Sequence, residues 1–507
     1  MNKNLLTTLI GLALLLTACG QPSVASFAVS APVGAPSPQV TGITLKSAPL
    51  PTTGPTSPRG PTATPRDTPT PDPTRVVDDA GTEFYIVQDG DSFIGIADEY
   101  GTTPEEIAKA NGLTTLSTIH PGDPLNVPLK IDRVGPGTKL LPDSEVVYSP
   151  DAIDFDVAAF VDQTHGYLKK YTEKVDGVTL TGAQVVQRVA EQFSVNPRLL
   201  LALLEYRSGW LSNPTPNADQ QAYPLDYRNA GYQNLYLQLG HAANRMNDGY
   251  YGWKSRGART VRFQDDSRAR IASGLNAGTV GLQTLLAADR TYDQWLKEAG
   301  PAGFIQTYQK WFGDPFQYAV TVLPQDLQQP TLTLPWTSGE TWYYSGGPHG
   351  GWGSGSGWAA IDFVPDQIDI GCQVSDQWVT AISSGTVLRS QNGEVVVDLD
   401  NDGHEQTGWT ILYMHMAAEG RVAKGAKIKA GDRIGHPSCE GGVANATHLH
   451  LARRYNGEWI PAGGTIPFVM DGWKVTGEAT EYDGGLTKNA QVKAACECRE
   501  EKNSVTK

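Results

Sequence analysis

The run ATHLHLARRY, residues 446–455, alternates in a period of two, and nothing else in the chain constrains local structure as tightly. A segment of this kind is a strand, so His448 and His450 leave it on one face about two strand rises apart. The surrounding texture agrees. From Thr331 onward the sequence breaks into short β-rich runs separated by glycine, among them Trp378 to Ala381, Gly385 to Leu388 and Glu394 to Leu399. This predicts an antiparallel β-sheet domain over 335–476, followed by a charged tail over 477–507. In ILYMHMA, Tyr413 and His415 read as same-face neighbours on another strand.

Paired imidazoles on a strand suit metal chemistry. A hydrolytic zinc needs three protein ligands and one open position for water, whose pKa it lowers toward neutrality. The stretch SGGPHGGWGSGSGWAAIDF offers His349 and Asp362, thirteen residues apart, with glycines that permit a tight loop between them. Over residues 340 to 475 this set resembles the lysostaphin-type and β-lytic zinc metallopeptidases, the LytM fold. Most members of that family place a His four residues before the Asp, where this chain has Trp358. The longer spacing from His349 to Asp362 in a Gly-Ser-rich loop is similar to the β-lytic branch. The resemblance implies that His349, Asp362 and His450 bind Zn2+, while His415 and His448 position or deprotonate the water and stabilise the oxyanion. His120, His404 and His436 have no such partners. Asp398-Leu399-Asp400-Asn401-Asp402-Gly403 begins like a calcium loop, but Trp409 stands where a bidentate Glu would be needed, and the run reads as a polar hairpin turn.

Export is written at the other end. Lys3 precedes an apolar run from Leu5 to Leu16, too short to span a bilayer, which ends in Leu16-Thr17-Ala18-Cys19-Gly20. That ending resembles the bacterial lipobox, which implies a signal peptide over 1–18 and a membrane anchor on acylated Cys19. From Gln21 to about Ala80 the chain holds thirteen prolines and few core-forming residues. Residues 19–80 are therefore expected to be a tether, reaching at most roughly 190 Å if extended. In a disulfide-permissive compartment Cys372 and Cys439 are a candidate pair, closing a loop of 67 residues. Cys496 and Cys498 are left as free thiols, a local bridge or intermolecular links. With Lys+Arg at 40 against Asp+Glu at 54, a net charge of −14 disfavours nucleic acid as a partner.

Between tether and sheet lie two further units, so the expected architecture is multidomain α+β. The pattern YIVQDGDSFIGIADEYGTTPEEIAKANGL followed by HPGDPLNVP reads as a β-α-α-β unit and resembles a LysM domain over 83–129. Such domains bind N-acetylglucosamine-containing glycans such as peptidoglycan, and the implied contacts here are Gly90, Asp91, Ser92, Phe93 and Pro121. Residues 145–330 read as helical, with Asn196-Pro197 opening an almost wholly apolar helix over Leu199 to Leu204. VNPRLLLALLEYRSGW resembles the catalytic-helix region of lysozyme-like folds, but Arg207 holds the place of the catalytic Glu, and Glu205 is rotated about 200° from it. The domain is expected to be a non-catalytic, all-α relative. Together these features predict a membrane-anchored zinc endopeptidase of the cell wall. A LytM-like regulator of a separate amidase and a glycan-cleaving lipoprotein are the rival readings.

Overall fold

The computed structural model describes residues 71–77, 81–88, 90–366 and 371–507. The expected signal peptide, Cys19 and most of the tether lie outside the described residues. The end of the tether does not hang free. Thr74–Arg75 pairs with Leu275–Asn276, and Arg75 donates to the carbonyls of Trp253, Gly257 and Ala258 at 3.2, 3.1 and 2.9 Å. One guanidinium thus satisfies three carbonyls at a helix end, where the backbone has spare acceptors.

In the first unit, β1 (Thr82–Ile86) and β2 (Pro124–Pro128) pair antiparallel around α1 (Phe93–Tyr100) and α2 (Pro104–Ala110). Ser92 caps α1 by accepting from the Gly95 amide, and Thr103 with Pro104 opens α2. Ile96, Tyr100 and Ile107 bury against Leu125 and Val127. Glu99 anchors the unit to the next one through Arg262 and Arg268, each at 3.1 Å.

The middle unit is built on α3 (Gly182–Phe193), α4 (Pro197–Ser208), α5 (Leu235–Tyr251) and α6 (Ala277–Ala287). A Thr181–Gln184 capping box starts α3, and the Asn196 side chain accepts from the Arg198 amide to start α4. Two hairpins, Thr172–Val175 with Val178–Thr181 and Thr260–Arg262 with Arg268–Arg270, interrupt what the sequence presents as all-helical.

The third unit is a nine-stranded antiparallel sheet. Its strands are β3 (Thr341–His349), β4 (Ala360–Pro365), β5 (Gly385–Gln391), β6 (Glu394–Asp398), β7 (Trp409–Met414), β8 (Leu449–Tyr455) and β9 (Ser504–Thr506), with short pieces at Lys427–Ile428 and Glu458–Trp459. Spatially, Lys427–Ile428 is followed by β5, β6, β7, β8, β4, β3 and β9, while Glu458–Trp459 folds back on β8. The residues expected as a tail are therefore structured. Gly484–Lys488 and Gln491–Ala494 form a hairpin, and β9 completes the main sheet beside β3. Leu486 and Val505 are fully buried, which is why this segment does not behave as its charge suggests.

The sheet has two differently covered faces. Ile361, Phe363, Val395, Val397, Ile411, Tyr413, Leu449 and Leu451 point into a core of the domain's own, closed by Trp336, Trp342 and Phe468. Ala360, Val396, Leu412, Met414 and Ala452 point the other way and merge with the core of the helical unit. Buried polar groups cross the same boundary. Lys254 pairs with Glu458 at 2.6 Å, Tyr250 donates to Glu458 at 3.1 Å, and Gln192 on α3 donates to Glu394 at 3.2 Å.

Two expectations follow. Leu412→Ala should cost about 2–5 kcal/mol, and because the core is shared, calorimetry should show helix and sheet units still melting in one lowered transition. His241 stacks flat on Tyr227, with centroids 3.7 Å apart, and burial, with Arg245 adding, pushes it down to about 4. The unfolded chain takes up this proton near its ordinary 6.5, the folded chain only near 4. Its contribution is intact above pH 6.5 and is lost as the pH falls toward 4. Denaturation midpoints of a His241→Gln variant should decline less over that window than those of the parent.

Candidate active site

Register builds the centre of the site. Asp362 on β4 stands directly opposite His450 on β8, and His349, the last residue of β3, stands opposite Ala360. All three side chains emerge on the face shared with the helical unit, and none is more than 8% exposed. Asp362 Oδ1 lies 3.4 Å from His349 Nε2 and 3.3 Å from His450 Nδ1, and those two nitrogens are 3.0 Å apart. Gly346 is required here, since a Cβ at that position would fall 2.7 Å from Asp362 Oδ2.

The outward hydrogen bonds decide what faces inward. His349 Nδ1 meets the Gly347 carbonyl at 2.8 Å, and His450 Nε2 meets the Gly351 carbonyl at 3.1 Å. A carbonyl only accepts, so each of these nitrogens carries its ring's proton and the inward nitrogen of the neutral ring presents a lone pair. Asp362 Oδ1 is buried with no hydrogen-bond partner. Three electron-rich atoms therefore converge on one small space, an arrangement that calls for positive charge. The ionisation balance agrees. Burial works against the Asp362 carboxylate, but His349 and His448 outweigh it and hold that carboxyl well below its usual range. Burial likewise pushes His349 down, and Asp362 overrides it upward. Two imidazoles and a carboxylate in this geometry fit a divalent cation such as zinc.

Two more imidazoles border this centre. His448 Nε2 is 3.9 Å from Asp362 Oδ1, while its Nδ1 bonds the Ala446 carbonyl at 2.8 Å. The His415 ring lies 4.4 Å from that of His448 and 6.1 Å from that of His450. The structure corrects the expected pairing of Tyr413 with His415. Tyr413 points into the opposite core, where its hydroxyl accepts from the Ile382 amide at 2.8 Å. His415 reaches the site because β7 has ended and its own φ is +64°. That conformation costs a non-glycine residue about 1–2 kcal/mol, and the 438–440 loop holds it: Ser438 donates to the His415 carbonyl at 2.9 Å, and His415 Nδ1 donates to the Glu440 carbonyl at 3.2 Å. Burial, with His448 and His450 adding, pushes His415 down to about 3, so its ring is neutral at neutral pH.

Sequence reasoning missed Tyr482 and also Glu481, whose carboxyl adds a smaller upward pull on His349. The Tyr482 ring stacks on His349 at 4.2 Å, and its carbonyl accepts from the Gly347 amide at 2.7 Å. Both residues belong to the segment taken for a tail. The available signal was the Asn489-Ala490 turn between two short β-prone runs, which marks a hairpin.

In the first unit the residues expected to contact glycan also shape the domain. Asp91 accepts from the Tyr85 hydroxyl and the Gln88 amide, Ser92 caps α1, Phe93 is buried, and Gly90 adopts a φ of +89°. Pro121 remains exposed, and so do Ile94 in the first turn of α1 and Leu116 in the segment between α2 and β2. In the middle unit Arg207 pairs with Glu298 at 2.7 Å, while Glu205 accepts from the amides of Leu211 and Ser212 at 3.0 and 3.2 Å. The acidic run after β6 forms a turn in which Asp398 accepts from the amides of Asp400, Asn401 and Gly403.

The chain carries a LysM domain and an M23 peptidase domain. The family model for the LysM domain matches residues 85–128, that for peptidase family M23 matches 366–461, and that for the LasA N-terminal domain matches 139–326. The M23 match contains His415, His448 and His450 and begins after Asp362, so His349 and Asp362 join the set through sheet register. Protease LasA of Pseudomonas aeruginosa is 26% identical over 347 residues, covering 64% of this chain and 75% of that protein. Among solved structures, the M23 metalloprotease pseudoalterin is 24% identical with a TM-score of 0.27, over 33% of this chain and 96% of that one. The catalytic domain of lysostaphin from Staphylococcus simulans is 27% identical with a TM-score of 0.18, over 24% and 89%.

Cys372 and Cys439 are bridged, tying the 371–375 segment to the loop that holds His415. Replacing both by Ser should lower stability by about 2–4 kcal/mol, read as an earlier denaturant midpoint. Cys496 and Cys498 are also bridged to each other.

Proposed function

We propose that this protein is a zinc endopeptidase that hydrolyses peptide bonds in the stems or cross-bridges of peptidoglycan. In this reading the LysM domain holds it on the glycan, and a lipid on Cys19 ties it to a membrane. The observation that carries the reading is the convergence of the His349 Nε2, His450 Nδ1 and Asp362 Oδ1 atoms on one space, with the outer nitrogen of each imidazole bonded to a backbone carbonyl and Asp362 Oδ1 buried without a hydrogen-bond partner.

His349, Asp362 and His450 would hold the zinc, which when bound polarises a scissile carbonyl and acidifies water. The remaining work falls to side chains. His415 and His448, each with Nδ1–H fixed on a carbonyl, present Nε2 lone pairs toward the same space. One takes the proton from the attacking water, stands beside the developing oxyanion as a cation while it carries that proton, and returns it to the leaving amine, while the other orients the water by accepting its second O–H. Tyr482 packs on His349 and limits its rotation. The tether and the LysM domain raise the local concentration of substrate without adding contacts at the site. The helical domain supplies no catalytic acid of its own, because Arg207 stands in the acid's place and the Glu205 carboxylate is committed to the loop after α4.

The deciding experiment is digestion of purified cell walls with and without a chelator, followed by mass analysis of the fragments. New amino groups that vanish with chelation are expected. New reducing or anhydro ends would instead assign glycan cleavage, and intact walls with no bound metal would leave the regulatory reading. Two variants separate the roles. His450→Ala should lose both zinc and activity, whereas His448→Ala should keep stoichiometric zinc by metal analysis and lose turnover by at least about a hundredfold.

A further inference from the structure

The loop between His349 and Asp362 does more than connect two strands. Its Gly351 carbonyl is the acceptor that fixes the outer nitrogen of His450, and the loop is held in place by the helical domain. Asn244, in the middle of α5, grips it twice: Nδ2 donates to Ser354 Oγ at 3.1 Å, and Oδ1 accepts from the Gly355 amide at 2.8 Å. The contact is too close for a side chain at residue 355, where a Cβ would lie 1.9 Å from the Asn244 carbonyl oxygen. Trp352 packs edge-on against Phe193 of α3, at 6.4 Å between centroids. At the far end Arg256, just beyond α5, lies over the Trp358 ring at 5.9 Å.

We infer that Asn244 is a positioning residue for the metal site, acting from the helical domain through the Gly-Ser loop and the Gly351 carbonyl on His450. The inference rests on the metallopeptidase reading above for the identity of the ion. Partners that orient a ligating imidazole set both its tautomer and its basicity, and losing one typically weakens metal binding 10–100-fold. Asn244 acts one step further out. Freeing the loop lets the Gly351 carbonyl leave His450 Nε2, and the ring is then free to rotate or to change tautomer. The helical domain thereby becomes a working part of the site although it supplies no ligand.

The test uses the full chain with Asn244→Ala and, separately, Gly355→Ala. Alanine suits a helix interior, so Asn244→Ala should keep the helical circular-dichroism signal of the parent. Zinc affinity is measured by competition with a chromophoric chelator, and loop order by hydrogen exchange of the amides over 351–356. Faster exchange across the loop together with zinc binding weakened about tenfold in both variants is expected. Faster exchange with unchanged zinc affinity would overturn the link from loop to His450, and unchanged exchange would overturn the grip itself. Should the parent chain bind no zinc, the metallopeptidase reading fails, and the exchange rates still decide whether Asn244 orders the loop.

Discussion

The site depends on one register, the antiparallel pairing of β4 with β8 that sets Asp362 across from His450. Side chains alternate along a strand, so a slip of one residue would send one of these groups into the opposite core and bring Ile361 or Leu451 to the helix-facing side. The register is held by what lies on both faces. Phe363 and Leu449, paired with each other, are fully buried below, and Ala360 and Ala452, also paired, are fully buried above. Small residues on the upper face leave room for the helices, and large ones below fill the domain's own core. The chemistry of the site is thus fixed by packing that has no chemical role of its own.

Because the metal-type cluster lies on the helix-covered face, the helical domain cannot be treated as a spacer. Buried Glu458 would lose its lysine partner without α5 and the residues after it, and Trp459 would lose the Tyr251 hydroxyl and Phe193 carbonyl that its two N–H groups bond. Arg389, Glu394, Glu405 and Arg454 form a buried charge network on the same face, roofed by α3 through Gln192 and the Glu191 carbonyl. Breaking into such a network strands charges and costs several kcal/mol. Domain docking and site geometry are therefore one problem, which accounts for a glycine-rich loop whose sequence answers to a neighbouring helix.

Much of this was legible in the chain. The caps Ser92, Thr103 and Asn196 announce their helices, because capping uses side chains that act on the next few residues. The alternation through His448 and His450 is equally local. What escaped was non-local or conformational. His415 arrives by a left-handed backbone after its strand has ended, which no alternation rule anticipates. Tyr482 meets His349 only because the last thirty residues fold back on β3, and their charge masks the few apolar positions, Leu486 and Val505, that drive this. The glycines between His349 and Asp362 read as loop chemistry, although Gly355 is dictated by the approach of α5.

β9 lies along the outer edge of β3, with Thr341, Trp342 and Tyr343 paired to Thr506, Val505 and Ser504. An exposed edge beside His349 would offer any extended chain a row of free amides and carbonyls, the usual invitation to strand addition. Here β9 takes only the far end of that row, and nearer the site Tyr482 takes it, its carbonyl accepting from the Gly347 amide and its amide donating to the Pro348 carbonyl. On the proposed reading, a peptide approaching the cluster finds the ladder on this side taken among the described residues, and would be recognised across the strand ends by loops and side chains, where selectivity comes from shape and functional groups rather than from main-chain pairing.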